Sequence, residues 1–349
     1  MNRDLELTLE TIQNQVRVLS QAEGYFDSAV LFSLLRLGLF ETIGQGSLSL
    51  KELSNQVEAD PELLFRLLRA AHANGLIDLS PQGTYRIPPA LQPVLLESGG
   101  PAYVGHWLRH LDDTHQALFS IDQVITRKRE PTRLGDQLWY HSGDYEGFSM
   151  AMHTYAASRG SELTSFLDLS SAQSLLDLAC GTGTYSYLLG KSHPHLNLVL
   201  LDLPEVRAVA RKVAQEYDLE NPIEYVAADV LSDPIPGMYD AILVSNALHL
   251  FGESASRQLL RRIYDHLNPG GSVVVQAQFL EETGRSRWPI MLDLILLSTS
   301  PAGKNHSANQ AVEWLQETGF QKIEIQPMSL FNVNGFVRGY KPLEGESSP

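Results

Sequence analysis

Three carboxylates and one glycine turn are the residues of this chain whose types and spacing suit chemistry. The stretch SLLDLACGTG, residues 174–183, is an apolar run carrying Asp177 near its end. It breaks into Ala179, Cys180, Gly181, Thr182 and Gly183 before a helical apolar pattern resumes at Tyr185. That is strand, tight turn, helix. Small residues there let the backbone lie against a ligand, and a helix start offers unpaired amide donors, an arrangement that holds a nucleotide-like molecule. A second apolar run, 198–201, ends at Asp202, at the strand tip where doubly wound folds bind ribose hydroxyls. A third, 223–226, leads to Asp229 and Val230. Ionised carboxylates only accept hydrogen bonds, so these positions suit hydroxyl and amine donors.

The elements that must position these groups follow from the same pattern. A fourth run, 239–245, leads into Asn246, Ala247, Leu248 and His249, and a fifth, 272–276, follows Asn268-Pro269-Gly270-Gly271. Polar residues thus recur at the carboxyl ends of successive buried strands, the edge where open α/β sheets bind ligands. The expected fold class is α/β with a doubly wound sheet. A dinucleotide fingerprint would place a third glycine where Ser186 stands, and a phosphate loop would end in Gly-Lys-Ser/Thr; neither is present, which argues against a nicotinamide oxidoreductase.

At 349 residues, 43% hydrophobic and 19% charged, the chain can bury sizeable cores and should form two domains. No run of apolar residues is long enough to span a membrane, and the opening MNRDLELTLETIQ is too acidic and broken for a signal peptide, so no membrane association and a cytoplasmic location are expected. One cysteine, Cys180, excludes an internal disulfide framework, and no His or acid spacing suggests a metal site. Cys180 reads as a small loop residue, with a catalytic thiol as the lesser alternative.

The first hundred residues read as helix-turn-helix plus wing. Helical periodicity runs from Tyr25 to about Leu39, a short helix lies near 51–56, and Asp60-Pro61 opens another carrying Leu63, Leu64, Leu67, Leu68 and Ala71. Residues 76–79 and 84–87 flank a turn at Ser80-Pro81-Gln82-Gly83. A winged helix suggests DNA, but the chain carries a formal charge of −15 and the second helix of the pair offers only Arg66 and Arg69. Phosphate neutralisation dominates nucleic-acid affinity, so no nucleic-acid partner is expected. Arg66 and Arg69 read as solvated or ion-paired residues.

The glycine loop resembles motif I of the class I methyltransferases that use S-adenosylmethionine, Asp-x-Gly/Ala-Cys/Gly-Gly-x-Gly. From about residue 25 to 336 the chain resembles the small-molecule O-methyltransferases, which include plant caffeate and hydroxyindole enzymes and bacterial natural-product tailoring enzymes. LGLFETI, LSLKELSNQVEADPELLFRLLRAAHANGLI and TYRIPPA match their N-terminal domain, and Phe148, Ala151 and Met152 match their Phe-x-x-Ala-Met element. The resemblance implies a winged-helix dimerisation domain at 1–100, a helical connecting segment at 101–165 and a Rossmann-like catalytic domain at 166–345. It also implies S-adenosylmethionine as cofactor, a homodimer formed through the N-terminal domain, and a small aromatic or lipophilic methyl acceptor, most simply at a hydroxyl. Carbon or nitrogen methylation, or a cofactor-binding regulator without turnover, are the alternatives.

Carried over by position, the resemblance puts Gly181, Gly183 and their neighbours under the methionine part of the cofactor, with Asp177 near its amino end. Asp202, with Leu203, would take the ribose hydroxyls; Asp229 and Val230 would border the adenine; Ser245 stands where the family has a lysine or arginine. Asp202 as a helix cap and Asp229 as a turn acid are the structural alternatives. His249 takes the family's catalytic position, where a neutral imidazole accepts the acceptor's proton. Phe148, Met152, Trp288, Met291, Leu292 and Ile295 would line the acceptor pocket, although the same spacings describe core-facing helix stripes.

The departures are specific. Leu250 and Phe251 replace an Asp-Trp pair, and the two glutamates that flank the histidine in plant members are missing: Ala277 stands between Gln276 and Gln278, and Asn305-His306-Ser307 replaces Glu-Arg-Thr. His249 is therefore either a base without an orienting carboxylate or a bystander. His306 is an alternative base, expected more simply as a solvent-facing loop histidine.

Overall fold

The computed structural model describes residues 8–129, 145–281, 284, 286–300, 302–327 and 334–345. The chain divides into two compact units, Met1–Arg109 and His110–Pro349.

The first unit opens with α1 (Leu9–Glu23), α2 (Tyr25–Arg36) and α3 (Leu39–Ile43). The single helix expected from Tyr25 to about Leu39 is two helices, because Gly38 adopts a left-handed φ of 65° and turns the chain between them. β1 (Leu48–Ser49) leads into α4 (Leu50–Gln56), started by a reciprocal cap between Ser49 and Glu52; α5 (Pro61–Ala73) starts on Asp60, whose carboxylate accepts from the Glu62 and Leu63 amides. β2 (Asp78–Leu79) and β3 (Thr84–Arg86) form the wing and complete a three-stranded sheet in the order β1-β3-β2. Leu53, Leu64, Leu68, Ile77, Tyr85 and Ile87 share one buried cluster, so the helix-turn-helix and wing pack as a winged helix. Arg66 pairs with Glu62 at 3.4 Å on the exposed face of α5, and Arg69 lies over the Phe65 ring. α1 buries none of its residues within the chain. The wing strands are shorter than the sequence suggested, since only the residues paired to β3 hold extended geometry.

α6 (Gln92–Leu95) and α7 (Gly105–Leu118) follow; the second unit continues with α8 (Ile121–Ile125), α9 (Tyr145–Ala157) and α10 (Gly160–Phe166). Its strands are β4 (Ser174–Leu178), β5 (Asn197–Asp202), β6 (Ile223–Ala227), β7 (Tyr239–Ser245), β8 (Leu267–Ala277), β9 (Gln321–Gln326) and β10 (Gly335–Tyr340). They form one sheet in the order β6-β5-β4-β7-β8-β10-β9. β4 to β8 pair in parallel, whereas β10 lies antiparallel between β8 and β9. Helices α11 (Thr184–Ser192), α12 (Pro204–Ala214), α13 (Glu253–Asp265), α14 (Arg287–Thr299) and α15 (Ala308–Thr318) complete the unit.

Alternate residues of the central strands feed two buried clusters. Leu176, Leu178, Ile242 and Val244 join one, and Leu175, Ala241, Leu243 and Val274 the other. Burial on both faces is why these strands read as continuous apolar runs. The turn expected at 268–271 is a bulge within β8: Tyr239 faces Leu267 and Ala241 faces Ser272, so extra residues loop out on one strand. The strand order reverses between β4 and its two neighbours β5 and β7, the switch point where ligands bind in such sheets. Among the described residues no helix is long and apolar enough to cross a membrane.

Candidate active site

The turn after β4 is built from left-handed residues: φ is 54° at Ala179, 56° at Gly181 and 74° at Gly183. The two glycines are small for different reasons. A Cβ on Gly181 would meet nothing within 4 Å, so the backbone there is open to an approaching molecule. A Cβ on Gly183 would fall 2.2 Å from Leu200 Cδ2 and 2.7 Å from the Tyr187 ring. Gly183 therefore serves the close approach of α11 to β5, and its missing side chain faces the core.

Asp177 is buried beneath this turn. Its Oδ2 accepts from Ser186 Oγ at 2.6 Å, while Oδ1 is buried with no partner. Burial pushes its carboxyl up to about 7, the Ser186 bond opposes that, and the charge of Asp202 adds to it. Ser186, which marks the absence of a third glycine in the sequence, is thus the residue that orients Asp177. The side chain of Asp202 binds the turn from the next strand: Oδ2 accepts from the Gly181 amide and Oδ1 from the Leu203 amide, both at 2.7 Å. Burial raises its carboxyl against those two bonds. It does not cap the following helix, whose N-cap is Leu203 without a side-chain bond. Burial and the charges of Asp202 and Asp177 push the Cys180 thiol well up, so it is a thiol and not a thiolate, as a small loop residue should be.

Asp229 sits at the end of β6 in a tight local turn. Its Oδ1 accepts from the Leu231 amide at 2.8 Å and its Oδ2 from Ser232 Oγ at 3.1 Å, and its own amide donates to Asp233. The turn-acid reading therefore describes what both oxygens do in this structure; one lone pair on each remains. Val230 beside it is buried. The ends of β5 and β6 are joined by the Ala228 amide donating to the Asp202 carbonyl at 2.9 Å.

Across the switch point, Ser245 ends β7 and donates to Gln276 Oε1 at 3.2 Å; Asn246 follows in a left-handed conformation with φ 51°. His249 lies on one turn of 3-10 helix, Leu248–Leu250, and is buried with Nδ1 unpartnered. Burial first, and the neighbouring His306 second, hold its ring down to about 4. His306 is not a solvent-facing loop histidine. It is 6% exposed, and its ring meets Trp314 edge-on at 4.7 Å. Its loop is drawn inward by main-chain bonds: Leu280 N to the His306 carbonyl at 2.8 Å and Lys304 N to the His249 carbonyl at 3.0 Å. Asn305 adds bonds from Nδ2 to the Gln278 and Pro289 carbonyls. Burial and Lys304 lower the His306 ring as well.

The six pocket candidates fall on two helices. Phe148 and Met152 are half-buried on α9, with the Phe148 ring edge-on to His110 at 5.9 Å. Trp288, Met291 and Leu292 are half-buried on α14, and Ile295 is buried there. Each helix is tied to a different part of the site. α14 is held through Asn305, which bonds Pro289 and whose amide donates to Asp293, and α9 is held through His153.

Two buried groups escaped the sequence reading. Gln278 donates to the Tyr155 hydroxyl at 2.6 Å, that hydroxyl donates to Asn334 at 3.2 Å, and Gln278 Oε1 is left buried without a partner. His153 Nδ1 lies 2.8 Å from Thr184 Oγ1, which lies 2.7 Å from Thr182 Oγ1 in the glycine turn, and its Nε2 lies 3.5 Å from Glu216. His153 and Thr184 are 31 residues apart, and Tyr155 bonds residues 123 and 179 positions away, so these bonds leave no local signal; the Phe-x-x-Ala-Met element before His153 hinted that α9 reaches the site. Among the described residues no group of three His, Cys, Asp or Glu stands close enough to hold a metal.

The O-methyltransferase domain family matches residues 137–321, and the O-methyltransferase dimerisation domain family matches residues 19–90. The chain is 28% identical to the tetracenomycin polyketide synthesis 8-O-methyl transferase TcmO of Streptomyces glaucescens, over 89% of this chain and 93% of that protein. It is 26% identical to the 3-hydroxy-5-methyl-1-naphthoate 3-O-methyltransferase of Streptomyces sahachiroi, over 92% and 93%. The solved structure of PigF with SAH superposes with a TM-score of 0.81 at 23% identity, covering 93% of this chain and 99% of that one. With a glycine turn and paired acids on one side of the switch point, buried histidines on the other and a dimerisation domain ahead of both, the chain belongs to the S-adenosylmethionine-dependent O-methyltransferase family.

Proposed function

We propose that the enzyme methylates a hydroxyl on a small aromatic, natural-product-like acceptor, with the donor held at the ends of β4 and β5. The observation that carries the donor site is the unpartnered, buried Oδ1 of Asp177 beside the open backbone of Gly181. An acceptor-only oxygen in that position fits an ammonium group, and the bare turn fits the chain attached to it. In this reading Asp177 takes the amino end of S-adenosylmethionine, and Gly181 lies under its methionine part. Asp202 uses its remaining lone pairs for the ribose hydroxyls, with Leu203 alongside. Asp229 and Val230 border the adenine, and Ser245 closes the site from β7. Gly183 supports the turn through packing. When bound, S-adenosylmethionine supplies an electrophilic methyl group on sulfur.

His249 is the proposed base. A ring held near 4 is neutral at physiological pH and always ready to accept a proton, yet it is too weak a base to ionise a phenol in advance. In this reading His249 would take the acceptor's proton in the same step in which the methyl group leaves sulfur for oxygen. Holding the acceptor oxygen in line is the larger part of the work, and we assign it to Phe148, Met152, Trp288, Met291, Leu292 and Ile295. The relatives' names support the substrate class: one acts in tetracenomycin polyketide synthesis, another on a hydroxynaphthoate.

We assign residues 1–100 to a winged-helix domain that pairs two copies, 101–165 to a helical connection and 166–345 to the catalytic domain. The match to a dimerisation domain supports the homodimer. The charge of −15 supports a winged helix that binds no nucleic acid, and the cytoplasm is the proposed location. The test is transfer of labelled methyl groups from S-adenosylmethionine to a panel of phenolic naphthoates and polycyclic aromatics. Turnover confined to hydroxyl-bearing members is expected; label appearing on carbon or nitrogen would overturn the reading.

A further inference from the structure

Behind the glycine turn runs a hydrogen-bonded chain that the mechanism above does not use. Glu216, half exposed, faces Nε2 of buried His153; His153 Nδ1 faces Thr184 Oγ1; Thr184 faces Thr182, which lies between Gly181 and Gly183. Thr182 and Thr184 are 3% and 2% exposed, so the chain is sealed from water at its inner end. Tyr217 lies edge-on to the His153 ring at 6.3 Å, and its hydroxyl also bonds Thr184. Glu216 is the charged group acting on His153.

The direction of this chain follows from its ends. An ionised Glu216 only accepts, so in the neutral ring Nε2 carries the proton and Nδ1 accepts. Thr184 then donates to His153, and Thr182 donates to Thr184. When His153 takes up a proton, Nδ1 becomes a donor and Thr184 must turn its hydrogen away from the ring, to the Tyr217 hydroxyl or to Thr182; turned to Thr182, it makes Thr182 point its own hydrogen into the loop. We infer that His153 is a positioning residue for the methyl donor: through Thr184 and Thr182 it sets whether the glycine turn presents an acceptor or a donor to the ligand's amino end. The neutral state favours an ammonium group; the protonated state adds a hydrogen-bond donor and a positive charge behind the turn. Burial lowers the His153 ring and Glu216 opposes that, so the neutral state is the resting one near neutrality. This inference rests on the donor-site reading.

The test is calorimetric affinity for S-adenosylhomocysteine between about pH 7.5 and about pH 5, with the full-length wild type, Glu216→Gln and His153→Gln. In the wild type, affinity falls on acidification in two steps, one belonging to Asp177 and a lower one of about five- to tenfold belonging to His153. Glu216→Gln, a change on a half-exposed side chain that leaves the core intact, moves the lower step further down in pH; His153→Gln removes it. By reciprocity, saturating S-adenosylhomocysteine lowers the His153 titration point seen by ring NMR. A lower step that stays in place in Glu216→Gln, or a ring titration indifferent to the ligand, overturns the inference. A wild type that binds no S-adenosylhomocysteine at any pH instead overturns the donor-site reading, and this inference with it.

Discussion

The two sides of the switch point are built on opposite electrostatic plans. At the ends of β4 and β5, buried Asp177 and half-buried Asp202 bond directly to the glycine turn and the helix after it: Gly181 donates to Asp202 at 2.7 Å and Ser186 to Asp177 at 2.6 Å. At the ends of β7 and β8 stand two buried histidines instead: burial and His306 lower the His249 ring, and burial and Lys304 lower that of His306. In the reading proposed above, the donor side is a set of acceptors awaiting a cation, and the acceptor side offers neutral imidazole rings and apolar side chains suited to a flat molecule. The lesson is that Ala277 and Asn305, standing where plant members of the family carry the flanking glutamates, take negative charge from one edge of the sheet while the other edge stays acidic.

Variants that strike one side alone test this contrast. The largest effect is expected from His249→Ala, which should lower turnover by about a hundredfold or more while leaving S-adenosylhomocysteine affinity intact. Near-normal turnover would take His249 out of the mechanism. On the opposite edge, Asp177→Asn should weaken S-adenosylhomocysteine binding about tenfold by calorimetry and should leave the melting temperature equal or higher, since a buried charge is removed. Gly183→Ala should destabilise by about 1–3 kcal/mol in denaturant unfolding, because its Cβ would collide with Leu200 and Tyr187. A Gly181→Ala protein of wild-type stability and impaired ligand binding would complete the distinction between the two glycines.

The smallest effect is a difference of sign in pH dependence. His249 falls from an ordinary 6.5 to about 4 on folding, so the unfolded chain binds more protons between those values; this contribution to stability is present above 6.5 and lost as pH falls through 4. Asp177 rises from 3.8 to about 7, so its contribution is present below 3.8 and lost as pH rises through 7. Melting temperature against pH should therefore flatten on the acid side in His249→Gln and on the neutral side in Asp177→Asn. Parallel curves for both variants would contradict opposite plans.

How much of this was legible in the sequence depended on how local the cause was. β7 is the run 239–245 that periodicity marks, and β4 and β5 each extend their runs by one or two residues, because burial on both faces leaves an uninterrupted apolar signature. Asp177, the glycine turn and Asp202 were readable for the same reason, each being anchored to a strand end. The division of labour between Gly181 and Gly183 was not, since it depends on Leu200 arriving from the next strand. Nor was the burial of His306, which follows from backbone bonds to Leu280 and from Lys304 to His249, or the His153 chain, whose members come from α9, the glycine turn with the start of α11, and the turn after α12. The break at Gly38 and the bulge in β8 were visible as turn residues, but only pairing and packing decided what the turns do.

The placement of β10 carries a consequence for how the molecule comes to be. β8, which leads to Gln276 and Gln278, finds its outer neighbour only in residues 335–340, whereas β4, β5 and β6 are complete by residue 227. During synthesis the strands that carry the proposed donor site are therefore made before the strand that flanks β8 on its outer side. A ribosome must add more than a hundred further residues after β6 before β10 can pair with β8, so the outer edge of the sheet is the last part of it to close.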